Sequence, residues 1–345
     1  MRKRYYYLLL IAILGIQASG TVAQEAAPAL AYMQSIGGEF KKIQQDTWDY
    51  TRSIAKNKSA RKVENKRKEL ISTIKGAMGR MRKLGGYKGD ATYRDSVLSF
   101  LDISKSVIEE NYAKIMEMED IAEQSYDFME AYLLAKQTAS EILQAAGERM
   151  DVEQEAFASK NNITLVKSET KLSKKLEESN QVFKNYNEVY LIFFKSYKQE
   201  AYLLDATSQG NINGMEQNRN SLVNYSEEGL NKLKEVSAYK GDNSLKTACL
   251  QMLNFYKEEA TLKYGLITDF YLKKENFDKM TEVIDKKPQK DRTKEEIDAY
   301  NKSLKEYNGL IEKFNQRNKE LYESRSRLLN EWNKAAEKFT SSHVG

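Results

Sequence analysis

Apolar residues recur at intervals of three and four along most of the chain, the spacing of one face of an α-helix. The clearest stretch runs from Val63 to Leu84, where the apolar side chains step by 7, 4, 3, 4 and 3 residues. Gly85 and Gly86 follow at once, and glycine readily takes the left-handed conformation that ends a helix. The pattern therefore predicts a helix that stops at these two glycines.

The last helix has the most regular pattern. From Ile297 to Phe339 the core-type positions alternate steps of 3 and 4, which makes a heptad seam along a helix about 63 Å long. Asn318 and Arg325 interrupt this seam and either set the register of the helix or reach the surface. A helix of this kind needs a partner, most simply the preceding stretch from Leu245 to Ile284.

Several short signals predict where other helices begin and end. Asp90 is suited to cap the helix that follows it, because its carboxylate can accept hydrogen bonds from free backbone N–H groups. Lys287 to Asp291 is expected to form a turn, and Thr293 with Glu296 forms a capping box. The pattern also predicts a bend between Met118 and Lys136, without a breaker residue to mark it.

The sequence contains an internal repeat at an offset of 152 residues. Tyr87-Lys88-Gly89-Asp90 recurs as Tyr239-Lys240-Gly241-Asp242. The register holds across about 49 residues, which favours duplication of a whole unit. The other matched pairs are Glu64 and Glu216, Arg67 and Arg219, Leu70 and Leu222, Leu98 and Leu250, Leu101 and Leu253, Lys105 and Lys257, and Tyr112 and Tyr264.

Composition agrees with long, solvated helices. Charged residues make up 30% of the chain and apolar residues 41%, while Pro occurs only twice. This content is too apolar for a disordered polyelectrolyte and too poor in breakers for a loop-rich fold. We predict an all-α protein: an elongated antiparallel bundle of long helices, made of two tandem, internally duplicated units.

The first 23 residues differ from all the rest. A basic start at Arg2 to Arg4 precedes twelve apolar residues from Tyr5 to Ile16, and small residues follow up to Ala23. This order is typical of a secretory signal peptide, with cleavage expected after Ala23 or, second, after Gly20. An uncleaved membrane anchor is the alternative. The predicted domains are therefore 1–23 as signal peptide, 24–162 as first unit and 163–345 as second unit.

Removal of the signal peptide lowers the net charge from +5 to +2. A nucleic-acid partner is not expected, because the remaining positive charges are diluted by acidic residues instead of forming a basic face. No later stretch approaches 18 consecutive apolar residues, so no transmembrane segment is expected after cleavage. The predicted location is the periplasm or the outer cell surface.

The residues that usually carry catalysis or bind metals are scarce. His343 is the only histidine and Cys249 the only cysteine, so we expect no metal, no cofactor and no enzymatic activity. We interpret Cys249 as a small buried residue, with a reactive thiol as the alternative. An acidic stretch is interpreted as a solvated helix face, not a metal site; it comprises Glu109, Glu110, Glu117, Glu119 and Asp120.

Two further patterns were weighed as binding sites. The first is an aromatic cluster that falls mostly on one helical stripe and is interpreted as core, with a sugar-binding or pore-forming role as the alternative. Its members are Tyr186, Tyr190, Phe193, Phe194, Tyr197 and Tyr202. The second is the pair of repeated tetrapeptides, which form turns and are the candidate partner contacts. The contact residues are Tyr87, Lys88, Asp90, Tyr239, Lys240 and Asp242.

These features together resemble an uncharacterised family of bacterial surface or envelope proteins. The resemblance is carried by the signal peptide, the Tyr-rich helices, the Tyr-Lys-Gly-Asp turn, the segment Val189 to Lys195 and the terminal segment Phe339 to Val344. It would cover most of the mature chain, though the motifs are loose. It implies envelope location, no established activity and no catalytic residues.

The sequence favours a non-enzymatic, exported envelope protein that acts as a helical scaffold or binding module. Its partner is an unknown protein or envelope component. The alternative is an α-helical toxin or effector that acts on a membrane, which should hide a long apolar hairpin in its soluble form. The longest apolar core, Val189 to Phe194, is only six residues.

Overall fold

The protein is all-α, as predicted. The computed structural model describes residues 27–56, 58–111, 118, 121–165 and 170–344. The signal peptide expected at 1–23 lies outside this range. The helices are α1 (Ala27–Ala55), α2 (Ala60–Leu84), α3 (Thr92–Ser106), α4 (Tyr126–Lys160), α5 (Lys171–Ser208), α6 (Ile212–Glu235), α7 (Ser244–Glu258), α8 (Gly265–Asp285) and α9 (Lys294–His343). Across these ranges the only β-type pairs are two isolated bridges.

The chain divides by its contacts into two compact units. Unit 1 comprises the residues up to Asn187 together with Glu337–Gly345, and unit 2 comprises Glu188–Ala336. This division falls inside α5 and α9, whereas the predicted sequence boundary lies at 162/163. The domain limits inferred from the sequence repeat therefore remain a prediction.

In unit 1, α1 and α2 form an antiparallel hairpin. Arg80 pairs with Glu39 at 2.7 Å, and the Thr73 hydroxyl donates to Asp46 at 2.6 Å, so residue numbers rise along one helix as they fall along the other. The predicted stripe of α2 is buried from Val63 to Met81. The helix stops at Gly85, as predicted. Gly85 has a φ of +71° but a ψ of −176°, so it is not in the left-handed helical conformation expected of a cap.

The second pair in unit 1 is α3 with α4. Their rings meet where Tyr93 contacts Phe157, and Phe100 lies against Gly147, so this pair is also antiparallel. The helical structure is interrupted before α4, inside the interval from Met118 to Lys136 that was predicted to contain a bend. There Ser125 is the N-cap residue, and its hydroxyl accepts a hydrogen bond from the N–H of Phe128.

Unit 2 is built around the aromatic part of α5. Trp332 of α9 stacks on Phe193 with ring centroids 4.2 Å apart, and both residues are buried. Gly229 of α6 lets Leu253 of α7 and Ile192 of α5 approach closely. The core interpretation of the aromatic cluster is thus confirmed for its central residues, whereas Tyr197 and Tyr202 are partly exposed.

The predicted partner of the last helix is correct for its first half. Phe270 of α8 stacks on Phe314 of α9 at 3.9 Å, and Phe277 stacks on Tyr307 at 5.3 Å. The predicted capping box at Thr293 begins α9, with reciprocal hydrogen bonds to Glu296 of 3.1 and 3.2 Å. α8 and α9 therefore form an antiparallel hairpin joined by aromatic contacts.

Two short π-helices were not expected from the sequence. They extend α3 as Val107–Asn111 and α7 as Glu259–Lys263, again at an offset of 152 residues. A π-turn inserts one residue into the helical ladder and often occurs at functional positions. In the part of the chain that the structure describes, no helix is both long and apolar enough to cross a membrane.

Candidate functional site

The first repeated tetrapeptide forms a tight turn between α2 and α3. Backbone hydrogen bonds join Tyr87 and Asp90 in both directions, at 2.8 and 2.9 Å. Lys88 has a φ of +51° and Gly89 a φ of +85°, so both central residues are left-handed. This is the pattern of a type I′ turn, which favours Asn and Gly at these positions.

Asp90 ties this turn to two helices. Its Oδ1 accepts a hydrogen bond from the N–H of Thr92 at 3.0 Å, and its Oδ2 pairs with Lys160 of α4 at 2.7 Å. The Lys160 ammonium, with added help from the Thr92 hydrogen bonds, holds the pKa of Asp90 well below its usual range. The N-cap residue of α3 is Ala91, not Asp90 as predicted. Asp90 lies one position earlier, but its carboxylate does accept from a backbone N–H of the first turn.

Tyr87 packs inward instead of pointing to solvent. Its ring lies 5.6 Å from the rings of both Tyr32 and Phe157. The Tyr32 hydroxyl donates to the Gly85 carbonyl at 2.8 Å, which satisfies a carbonyl at the end of α2. Tyr87 therefore has a packing role in the structure. The most exposed side chain of this turn is Lys88.

The second tetrapeptide has the same backbone form in unit 2. The Asp242 N–H donates to the Tyr239 carbonyl at 2.9 Å, and Asp242 accepts from the N–H of Ser244 at 2.8 Å. Lys240 and Gly241 have φ values of +47° and +83°. Tyr239 is buried and Lys240 is exposed, as their counterparts suggest. In each turn a lysine occupies a position where asparagine or glycine would cost less.

A buried charged cluster in unit 2 is the site that sequence analysis missed. Arg325 of α9 bonds to Glu200 of α5 and, at 2.5 Å, to Glu259, the first residue of the second π-helix. Glu200 and Glu259 are 2% and 0% exposed. The Tyr256 hydroxyl lies buried nearby and makes no hydrogen bond among the described residues. Arg325 thus reaches inward from the heptad seam, not to the surface.

One of these two carboxyl groups carries a proton at neutral pH. Burial, followed by the negative charge of Glu200, raises the pKa of Glu259 to about 9 against the opposing effect of Arg325. With both carboxylates ionised, one guanidinium would leave a net negative charge in the interior, which is costly. Protonation of Glu259 removes this excess negative charge from the cluster.

The sequence held only one signal for this cluster, the polar interruption at Arg325. Its partners could not be found by spacing, since Glu200 and Glu259 lie 125 and 66 residues away and the π-turn that brings Glu259 inward left no recognised pattern. The cluster can hold a proton and fix the position of α9 against α5. It lies away from solvent, with Arg325 itself only partly exposed.

The structure places Cys249 and part of the acidic stretch as the sequence predicts. Cys249 is fully buried, as interpreted, and burial raises the pKa of its thiol. Within the acidic stretch, Glu109 pairs with Lys75 at 2.5 Å, while the side chains of the other four lie outside the described residues. Among the described residues, no group of three or more His, Cys, Asp or Glu is arranged to hold a metal ion.

No family model, no curated protein and no solved structure matches the chain.

Proposed function

We propose that this protein is exported and acts in the cell envelope as a non-enzymatic helical binding module, with the two Tyr-Lys-Gly-Asp turns as contact sites. The observation that carries the proposal is the left-handed lysine in each turn. A non-glycine residue in this conformation costs about 1 kcal/mol, and asparagine costs less. A lysine kept at both positions is explained if its side chain is needed for contact.

The surroundings of each turn support a contact role. Lys88 and Lys240 are exposed, and each ammonium lies over the ring of the preceding tyrosine at 5.4 and 5.6 Å. The buried or half-buried tyrosine and the capping aspartate hold the backbone rigid. A rigid loop loses little entropy on binding, which favours affinity. The tyrosines and aspartates thus position the lysines, which make the contact.

We infer also that the two halves descend from one duplicated unit. In support, both turns share one backbone form, and α3 and α7 are 15 residues long and each runs into a π-helix at the same offset. The ion pair of Glu64 with Arg67 has a counterpart in Glu216 with Arg219. The kinship with envelope proteins suggested by the sequence motifs belongs to the same proposal.

The test is binding of the purified mature protein to envelope fragments from its own source. Lys88→Asn/Lys240→Asn should bind at least tenfold more weakly, while its free energy of unfolding stays equal or rises, because asparagine suits the turn better. Lys334→Gln/Lys338→Gln is the matched control, since it removes two exposed positive charges elsewhere.

Four results would overturn the proposal. Unchanged binding of the turn variant would exclude the loops as contacts, and equal loss in the control would reduce the effect to net charge. Leakage of dye from lipid vesicles on adding the protein would favour the membrane-acting alternative. Turnover in a hydrolase screen that a single carboxylate substitution abolishes would end the non-enzyme claim.

A further inference from the structure

The hairpin of α1 and α2 carries an open groove at its turn end. The groove has a volume of about 590 Å³ and runs between the last two turns of α1 and the first three of α2. Its lining residues on both helices follow the i, i+3, i+4, i+7 spacing of a single helix face, at 49, 52, 53 and 56 and at 62, 65, 66 and 69. The volume is in the range of small-ligand sites.

Charge is distributed unevenly along this groove. At the inner end Lys66 pairs with Glu69 at 2.6 Å and also interacts electrostatically with Asp49. Positive and negative charges are therefore balanced at this end of the groove. At the turn end the lining cations are Arg52, Lys56, Lys58 and Lys62. None of these four forms an ion pair with any carboxylate that the structure describes, in a chain whose other cations are often paired.

The start of α2 makes this cluster costly for the protein alone. Ser59 is the N-cap residue but makes no side-chain capping bond, and the first turn contains no acidic residue. Positive charges near a helix N-terminus are unfavourable, because this end already carries partial positive charge. An acidic first-turn residue is present in α3, α4 and α9, whereas α1 and α5 to α8 lack one as α2 does.

The matching position in unit 2 lacks the cluster. At an offset of 152 residues, Lys58, Ser59 and Lys62 correspond to Gly210, Asn211 and Gly214. The Asn211 side chain accepts a hydrogen bond from the Gly214 N–H at 2.9 Å, so α6 begins with an ordinary cap. The corresponding start of α2, by contrast, adjoins the four groove cations that pair with no described carboxylate.

We propose that this groove binds an anion that carries two or more phosphate groups, presented either by a lipid headgroup or by a soluble phosphorylated molecule. Phosphate oxygens would meet the ammonium groups of Lys56, Lys58 and Lys62 and the Arg52 guanidinium. The groove and the Tyr87–Asp90 turn lie at opposite ends of α2, roughly 37 Å apart. The two proposals can therefore fail separately.

The experiment measures binding of tripolyphosphate to the mature protein by calorimetry at low salt, with inorganic monophosphate for comparison. A parallel arm measures sedimentation with phosphatidylcholine vesicles that contain or lack cardiolipin, a lipid whose headgroup carries two phosphate groups. The variant is Lys58→Gln/Lys62→Gln, and the control with equal charge is Lys334→Gln/Lys338→Gln. We expect the variant to lose at least tenfold in affinity and the control to keep it.

The unfolding temperature distinguishes a binding role from a structural one. Without ligand, Lys58→Gln/Lys62→Gln should unfold at the same or a higher temperature, because it removes charge from the positive end of α2. Binding in the tripolyphosphate arm identifies a soluble ligand, and binding only to cardiolipin vesicles identifies a headgroup. No binding in either arm, equal loss in the control, or a clearly lowered unfolding temperature would overturn the proposal.

Discussion

Single residues were predictable where local geometry decides their role. Asp90 was assigned as a helix cap from its place after Gly89, and it does accept from the Thr92 N–H. Glu259 was not identifiable, because nothing in its neighbourhood distinguishes it from the exposed Glu258 beside it. Its burial depends on the π-turn and on two distant residues. A buried ionisable group is set by tertiary structure, which a single sequence does not display.

The protonation of Glu259 makes a pH prediction. Its pKa is about 9 in the folded protein and near 4.5 when unfolded. The folded state then holds a proton that the unfolded state releases. The contribution of this group to stability is therefore fully present below pH 4.5 and is lost as pH rises towards 9. The slope is at most about 1.4 kcal/mol per pH unit. Because the Gln side chain cannot ionise, the free energy of unfolding of Glu259→Gln should decline less steeply with rising pH.

Urea unfolding followed by circular dichroism at several values from pH 5 to pH 9 measures this slope. The stability of Glu259→Gln relative to the natural protein should rise steadily across the range. Glu258→Gln is the control, because its carboxylate is exposed and pairs with Lys263 at 2.8 Å. Parallel pH profiles for Glu259→Gln and the natural protein would show that Glu259 is ionised in the fold.

At the scale of elements, the pattern of apolar residues found most helices and several of their ends. The stop at Gly85, the capping box at Thr293 and the aromatic partners of α9 were all read from spacing. The π-helices were missed, because a π-turn shifts the apolar face by one residue and such a shift resembles ordinary irregularity. The role of Arg325 could not be decided from the sequence either, because its partners lie on other helices.

Arg325 should be the strongest polar anchor of α9. Arg325→Met leaves Glu200 and Glu259 buried without their cation, so it should lower the free energy of unfolding by about 3–5 kcal/mol at pH 7. Urea titration measures the loss. Arg327→Met, which removes an exposed pair with Glu331, should cost less than about 1 kcal/mol.

A compensated variant tests the cause of that loss. Glu200→Leu/Glu259→Leu/Arg325→Met removes all three polar side chains together, and apolar replacement of a buried ionic cluster is often neutral or stabilising. It should recover most of the stability that Arg325→Met loses. If it is no more stable than the single variant, side-chain packing and not an unpaired buried charge explains the effect.

At the scale of the whole molecule, the sequence predicted the fold class but not how the chain is grouped. The all-α class followed from composition and periodicity, both averages over many residues. The contact units were not predicted: residues 171–187 at the start of α5 belong with α1 to α4, although they follow the predicted junction. Which helix packs on which depends on long-range contacts, and a repeat in sequence does not specify them.

The proposed envelope function depends most on export, since an envelope partner requires it. The basic start, the twelve apolar residues and the small residues before Gln24 motivate this claim. The direct measurement is mass spectrometry of the amino terminus of the native protein, recovered from fractionated cells. The account predicts a chain that begins at Gln24, or at Thr21, in the periplasmic or surface fraction. A chain that retains Met1, in the envelope or in the cytoplasm, would contradict it.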